Sequence, residues 1–291
     1  MPPSPPPEPT LDALKPMKVE GLPPAAYYIP NFITEEEEEL LLRKIADSPQ
    51  PKWRTTATGR RLQYWGGTLT KSGVLVPEPL PEWLTAYPDI AARVDRLLDA
   101  AAGVEGRHVL GVNQVLVNEY APGQGISPHE DGPAFRPLVA TLSLGSSSVL
   151  DLHHYISPSA PSPPMIPADG AVGRAIAAVP LGHVLLLPRS LFVLSGSAYS
   201  AHLHGIAPRS ADWVVRDEAA AAAAVEGEGE APPVVVANAG LLADAPVQAA
   251  IASDAGWRAE RGTRVSLTFR HAEKSLKGGA FAMVGGRMQR S

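Results

Sequence analysis

The sequence predicts an all-β core of antiparallel strands with helices packed beside it. Three observations carry that expectation. From Val109 onward, short apolar runs alternate with turn residues, as strands and their connections do. Helical spacing of apolar residues is confined to two earlier segments, one opening at Thr34 and one at Ile90. The 291 residues include 31 prolines and 26 glycines, many placed where a sandwich or barrel turns its corners.

The elements follow in order. Residues 1–24, rich in proline, read as a disordered or loosely docked lead-in to a domain spanning 25–275. Ala25-Ala-Tyr-Tyr-Ile29 is a short strand ended by Pro30. Thr34 then caps a helix, with Glu37 three residues on completing a capping box. The acidic run Glu35 to Glu39 suits the positive end of the helix dipole and is expected to be solvated. A basic, aromatic stretch runs from Lys52 to Gly67. A second helix covers Ile90 to Ala101, with Ile90, Val94, Leu97 and Leu98 on one face. The expected strands are Val112–Tyr120, Leu138–Leu144, Ser148–Tyr155, His183–Leu187, Leu191–Leu194 and Arg264–Arg270. Two segments read as insertions, 157–173 and the low-complexity 217–255, the second taken as a solvated loop. Residues 276–291 form a tail.

Composition removes several function classes. With no cysteine, a disulfide scaffold, an iron–sulfur cluster and a thiol nucleophile are excluded, and any metal must be held by His, Asp or Glu. No apolar run approaches the roughly 20 residues of a membrane helix. The proline-rich start lacks the pattern of a secretory signal, so a cytoplasmic and nuclear protein is expected, acting as a monomer. A net charge of −5 argues against coating nucleic acid by bulk charge but permits a local basic patch.

Eight histidines make the question one of convergence. His129 and Asp131, two apart in extended chain, point the same way. A third ligand from a distant strand would complete a 2-His-1-carboxylate triad with open positions for Fe(II) chemistry. Asn118 and Tyr120 likewise share a strand face. Arg264 and Arg270, at an even spacing with Ser266 and Thr268 between them, fall on one face, opposite Val265, Leu267 and Phe269. Two guanidiniums turned into a barrel are costly unless they meet anions, and a dicarboxylate would supply them.

Taken together, Asn118-x-Tyr120, His129-x-Asp131, His204-Gly-Ile206 and Arg264-x-Ser-Leu-Thr-x-Arg270 resemble the AlkB family of Fe(II)/2-oxoglutarate dioxygenases. The stretches Arg60-Arg-Leu-Gln-Tyr-Trp-Gly-Gly67, Ser143-Leu-Gly145 and Leu187-Pro-Arg-Ser190 are most similar to its sixth-homologue subgroup. The resemblance implies a double-stranded β-helix, a jelly roll of two antiparallel sheets. It implies that His129, Asp131 and His204 bind Fe(II), and that Asn118 and Tyr120 contact 2-oxoglutarate. Arg264 would hold the distal carboxylate of that co-substrate, and Arg270 would lie near the chelating one. With O₂, such a site hydroxylates a C–H bond, and a hydroxylated N-methyl group falls apart to formaldehyde. Arg60, Arg61, Tyr64 and Trp65 fall in the segment that covers the substrate base in relatives. The implied partner is methylated nucleic acid, RNA or DNA. Two alternatives stand beside it, oxidation of a protein side chain and a non-catalytic reader of methylated RNA.

Periodicity cannot separate His202 from His204, and it is the family pattern, with the ligand directly before Gly-Ile, that selects His204. His153 and His154 are expected at a strand edge or surface, and His183 as a turn histidine bonded to backbone.

Overall fold

In the computed structural model, which describes residues 11–104, 108–156, 164–165, 174–224 and 232–276, the expected strands form, each within two residues of its predicted ends. The main strands in chain order are β1 (Ala26–Ile29), β2 (Arg54–Thr55), β3 (Arg61–Trp65), β4 (Gln114–Tyr120), β5 (Ile126–His129), β6 (Leu138–Gly145) and β7 (Ser148–His154). There follow β8 (Gly182–Leu186), β9 (Leu191–Ser195), β10 (His202–Ile206), β11 (Ala211–Val215), β12 (Pro233–Val235), β13 (Trp257–Glu260) and β14 (Arg264–Arg270). The larger sheet runs β1-β9-β6-β14-β4-β3-β2 and the smaller β8-β7-β10-β5. The two antiparallel sheets make the double-stranded β-helix.

Side-chain alternation divides the interior into two cores. On the larger sheet, Val115, Val117, Ala140, Leu142, Leu267 and Phe269 turn to the face covered by helices α1 (Glu35–Ala46) and α2 (Ile90–Ala101). The opposite face carries Tyr28 and Phe192, which pack with Leu150, Leu152 and Val184 of the smaller sheet. The polar face of β14 points the same way, so Arg264, Ser266, Thr268 and Arg270 are all buried between the sheets.

The capping box forms as expected. Thr34 Oγ1 accepts from the Glu37 N–H at 3.2 Å, and Glu37 Oε2 accepts from the Thr34 N–H at 3.0 Å. The acidic run is not wholly solvated, however. Glu37 pairs with Arg93, and Glu38 accepts from the Gly145 N–H at 2.8 Å and from Arg189 Nη1 at 2.8 Å. These two carboxylates therefore tie α1 to α2 and to the corner of β6. Glu37 and Glu38 lie four and three residues before the buried Leu41, so the helix places both on its inward stripe.

Two further expectations are corrected. Residues 1–10 lie outside the described residues, but from Leu11 the lead-in is docked. Leu11 and Leu14 join the helix-side core, and Val19 pairs its N–H with the Ala26 carbonyl at 2.9 Å. The segment 217–255 is not a solvated loop where it is described. β11, β12 and β13 form a three-stranded sheet, and Val234, Val236, Leu242 and Ile251 are buried. Asn238, fully buried, donates to the Leu185 carbonyl and accepts from the Leu185 N–H, each at 2.9 Å. That amide satisfies backbone groups on the free edge of β8, which an edge strand otherwise leaves open. Most of the insertion 157–173 and all of the tail beyond 276 lie outside the described residues. Among the described residues no helix is long and apolar enough to cross a membrane.

Candidate metal and dicarboxylate site

The smaller sheet positions the histidines. In the β10–β5 pairing, His204 stands directly opposite His129, and their rings approach to 4.5 Å between centroids. His129 is oriented from behind, with Nδ1 2.9 Å from the Ser127 carbonyl. Glycines permit the close strand approach. A Cβ on Gly205 would meet Ile126 O at 3.0 Å, and one on Gly125 would meet Ile206 O at 2.2 Å.

Asp131 completes the group. Its Oδ2 lies 3.9 Å from His204 Nε2, and its Oδ1 accepts from Arg270 Nη1 at 3.0 Å. Burial works against the Asp131 charge, but Arg270 and then the two imidazoles outweigh it and hold the carboxyl below its usual range. Burial also pushes the His204 imidazole down to about 4, helped by His129 and Arg270 and opposed by Asp131. His204 is therefore neutral and Asp131 ionised at neutral pH, the protonation states a metal ligand needs. Among the described residues no three such side chains already close on one point at ligand distance. They stand as neighbours of the right kind, and imidazole with carboxylate is a donor set suited to Fe(II).

His202 is placed otherwise. It sits one pleat away with Nδ1 2.7 Å from the Ser197 carbonyl, facing His154 across the strand pair.

The larger sheet supplies the opposite wall. Arg264 is almost fully buried, and its hydrogen bond among the described residues is from Nη2 to Ser143 Oγ at 2.9 Å. Its Nε has no partner among them. Burial lowers the Arg264 pKa from its ordinary value. A buried guanidinium with an orphaned N–H calls for an anion, and a carboxylate in bidentate geometry fits. Tyr120 and Asn118 lie beside it on β4, paired in register with Arg264 and Ser266. Arg270 is committed differently, to Asp131 and, from Nη2, to Gln114 Oε1 at 2.7 Å, with Phe135 beneath it at 4.1 Å. The site residues fit both a metal and a dicarboxylate.

Only part of the stretch 60–65 faces this site. Tyr64 pairs with Leu116 and Leu62 with Asn118, which puts them on the inner face. Tyr64 lies under the Arg54 guanidinium at 5.3 Å. Arg61 and Trp65 face the helices. Arg61 makes a bidentate pair with Glu119 at 2.7 and 2.9 Å, and Trp65 is buried in the helix-side core. Their expected role over a substrate is corrected: a period of two cannot place 61 and 65 on the face of 60 and 64. Arg60 reaches the inner face but donates Nη1 to Asn118 Oδ1.

Other residues went unread in the sequence. Gln114 shares the face of Asn118 at an even spacing, a signal that was available. Asp151 is buried on the outer face of the smaller sheet with His183 Nδ1 at 2.7 Å, so His183 is paired to a carboxylate instead of being a turn histidine. His153 is also buried, bonded to the Ala177 carbonyl at 3.1 Å, because the segment around Ile176 and Ala177 packs over that strand end. A cavity of about 600 Å³ lined by Arg209, Trp213 and Glu260 lies elsewhere, and none of the site residues lines it.

The sequence profile of the 2OG-Fe(II) oxygenase superfamily matches residues 25–270. A Danio rerio protein described as "Probable RNA/DNA demethylase ALKBH6" is 34% identical over 263 residues, 90% of this chain and 92% of its own length. The Xenopus tropicalis "tRNA (carboxymethyluridine(34)-5-O)-methyltransferase alkbh8" is 26% identical over 88% of this chain, which spans 33% of that larger protein. The solved structure of OsALKBH1 aligns with 86% of this chain and 99% of its own at 14% identity, with a TM-score of 0.45.

Proposed function

The chain belongs to the AlkB branch of the 2OG-Fe(II) oxygenase superfamily and is a 2-oxoglutarate-dependent non-haem iron dioxygenase, and from that premise we propose that it oxidatively demethylates an N-methylated base in nucleic acid. Fe(II), 2-oxoglutarate and O₂ supply the oxidising chemistry when bound. The chain's own residues do the rest. His129, Asp131 and His204 would hold the metal, and Arg270 keeps the Asp131 carboxylate ionised and aimed. Arg264 would take the distal carboxylate of 2-oxoglutarate, with Tyr120 and Asn118 beside it on the adjacent strand.

The single observation that carries the reaction class is the pairing of a His–Asp–His group with a buried arginine whose Nε lacks a partner among the described residues. A nucleic-acid substrate is supported by the ALKBH6 relative named as an RNA/DNA demethylase, aligned over nearly its whole length. Tyr64 on the inner face, under Arg54, offers the aromatic and cationic pair on which a base can stack.

A formaldehyde-release assay with Fe(II) and 2-oxoglutarate, run over methylated RNA, methylated DNA and methylated peptides, tests this reading. Release from at least one methylated oligonucleotide, lost in Asp131→Ala, is expected. Turnover of peptides alone would replace the proposal with a protein-oxidising enzyme.

A further inference from the structure

Arg60, expected at the substrate, is bound instead to the wall that faces the co-substrate. It precedes β3 at the register position opposite Tyr120, since Arg61 pairs with Glu119 and Leu62 with Asn118. Its Nη1 donates to Asn118 Oδ1, and its guanidinium lies 5.6 Å from the Tyr120 ring. Arg264 approaches the same ring to 5.5 Å. The Nε of Arg60 is buried and, like that of Arg264, has no partner among the described residues.

The chemistry of the contact is directional. A guanidinium can only donate, whereas a carboxamide presents one acceptor oxygen and one donor nitrogen. A bond from Arg60 therefore fixes which way the Asn118 amide is turned. Oδ1 is consumed by Arg60, and the Nδ2 hydrogens are left for an acceptor in the site. Without Arg60 the amide could rotate by half a turn and present its oxygen to an anion, replacing attraction with repulsion. The same guanidinium adds a second positive charge beside Tyr120, where Arg264 alone would face a dianion.

We infer that Arg60 is a positioning residue for 2-oxoglutarate, holding Asn118 with its N–H groups toward the co-substrate and adding a second cation next to Tyr120. The inference rests on the reading that 2-oxoglutarate lies along Asn118, Tyr120 and Arg264.

Binding of 2-oxoglutarate to the full chain, measured by calorimetry with redox-silent Mn(II) in place of iron, tests it. Arg60→Ala should weaken that binding by about tenfold or more, the scale of one charge-assisted hydrogen bond. Arg60→Lys, which keeps a donor and a charge, should recover part of the loss. Asn118→Asp keeps an acceptor for Arg60 but loses the N–H donors, and should weaken binding at least as much as Arg60→Ala. Affinity for a methylated oligonucleotide, titrated without co-substrate, should be unchanged in Arg60→Ala and Arg60→Lys. Wild-type affinity for 2-oxoglutarate in both Arg60 variants, with weakened oligonucleotide binding, would return Arg60 to the substrate and overturn the inference. Failure of the unaltered protein to bind 2-oxoglutarate would instead overturn the underlying placement of the co-substrate.

Discussion

Arg270 donates Nη1 to Oδ1 of Asp131 at 3.0 Å, and both side chains are 7% exposed. The last strand of the larger sheet therefore reaches across to a carboxylate of the smaller one. Gln114 holds the far side of the guanidinium through Nη2, and donates in turn from Nε2 to the Gly67 carbonyl at 3.2 Å. The orientation of Asp131 is thus anchored in both strands that flank β4, β3 through its Gly66-Gly67 bend and β14 through Arg270 itself.

Arg270→Gln removes the charge that does most to keep Asp131 ionised. The Asp131 carboxyl then titrates at higher pH, so protons compete with the metal over a wider range. Metal affinity near neutral pH should fall about 10–100-fold, as losses behind a ligand do. The acid limb of a Mn(II) titration should move toward neutral pH. An unmoved limb would show that Arg270 does not tune the ligand.

The two histidines of β10 should separate cleanly. His204→Ala removes a neutral imidazole that faces both His129 and Asp131, and should abolish tight metal binding. His202→Ala breaks only the bond to the Ser197 carbonyl, and should leave a weakened but measurable site. The opposite ranking in a metal titration would move the ligand to His202.

On β3, alternation predicts two phenotypes from neighbouring residues. Tyr64→Ala should weaken oligonucleotide binding with little change in melting temperature. Trp65→Ala should cost about 3–5 kcal/mol of stability through the helix-side core, and Arg61→Ala should leave oligonucleotide affinity unchanged while freeing Glu119. A binding loss in Arg61→Ala equal to that in Tyr64→Ala would put both on the substrate side.

Glu37 makes acid stability testable. Its bond from Arg93 lowers its pKa from 4.5 despite the cost of burial. A depressed folded pKa gives stability that is fully present above 4.5 and lost as pH falls through the folded value. Glu37→Gln should cost about 1.5–3 kcal/mol at neutral pH, with the difference from the unaltered protein shrinking below pH 4.5 in denaturant titrations. A constant difference across pH would exclude the ion pair as its source.

Gly125 carries the approach of β5 to the chain after β10. A methyl there would lie 2.2 Å from Ile206 O, a backbone atom of the same strand that carries His204. Gly125→Ala should reduce metal affinity at least tenfold while secondary structure by circular dichroism is retained. Full affinity in that variant would mean the strand pair can separate without disturbing the ligands.

Several features were legible in the sequence because their causes are local. The Thr34–Glu37 capping box, the helix Ile90–Ala101 and the two-sided strand Arg264–Arg270 follow from caps and from periods of 3.6 and two residues, and each forms as expected. The pairing of His129 with Asp131 was visible as spacing, and the third ligand only through family resemblance. What the tertiary structure decided lies in contacts between segments far apart in the chain. Arg60 turned out to hold Asn118, Glu37 and Glu38 to be buried, and 233–251 to close the edge of β8 where a loop was expected. Local patterns say which residues share a face, but they do not say what that face meets. The partner is chosen by sheet register and by the need of each buried polar group for a hydrogen bond, and both are satisfied only when distant strands are brought together.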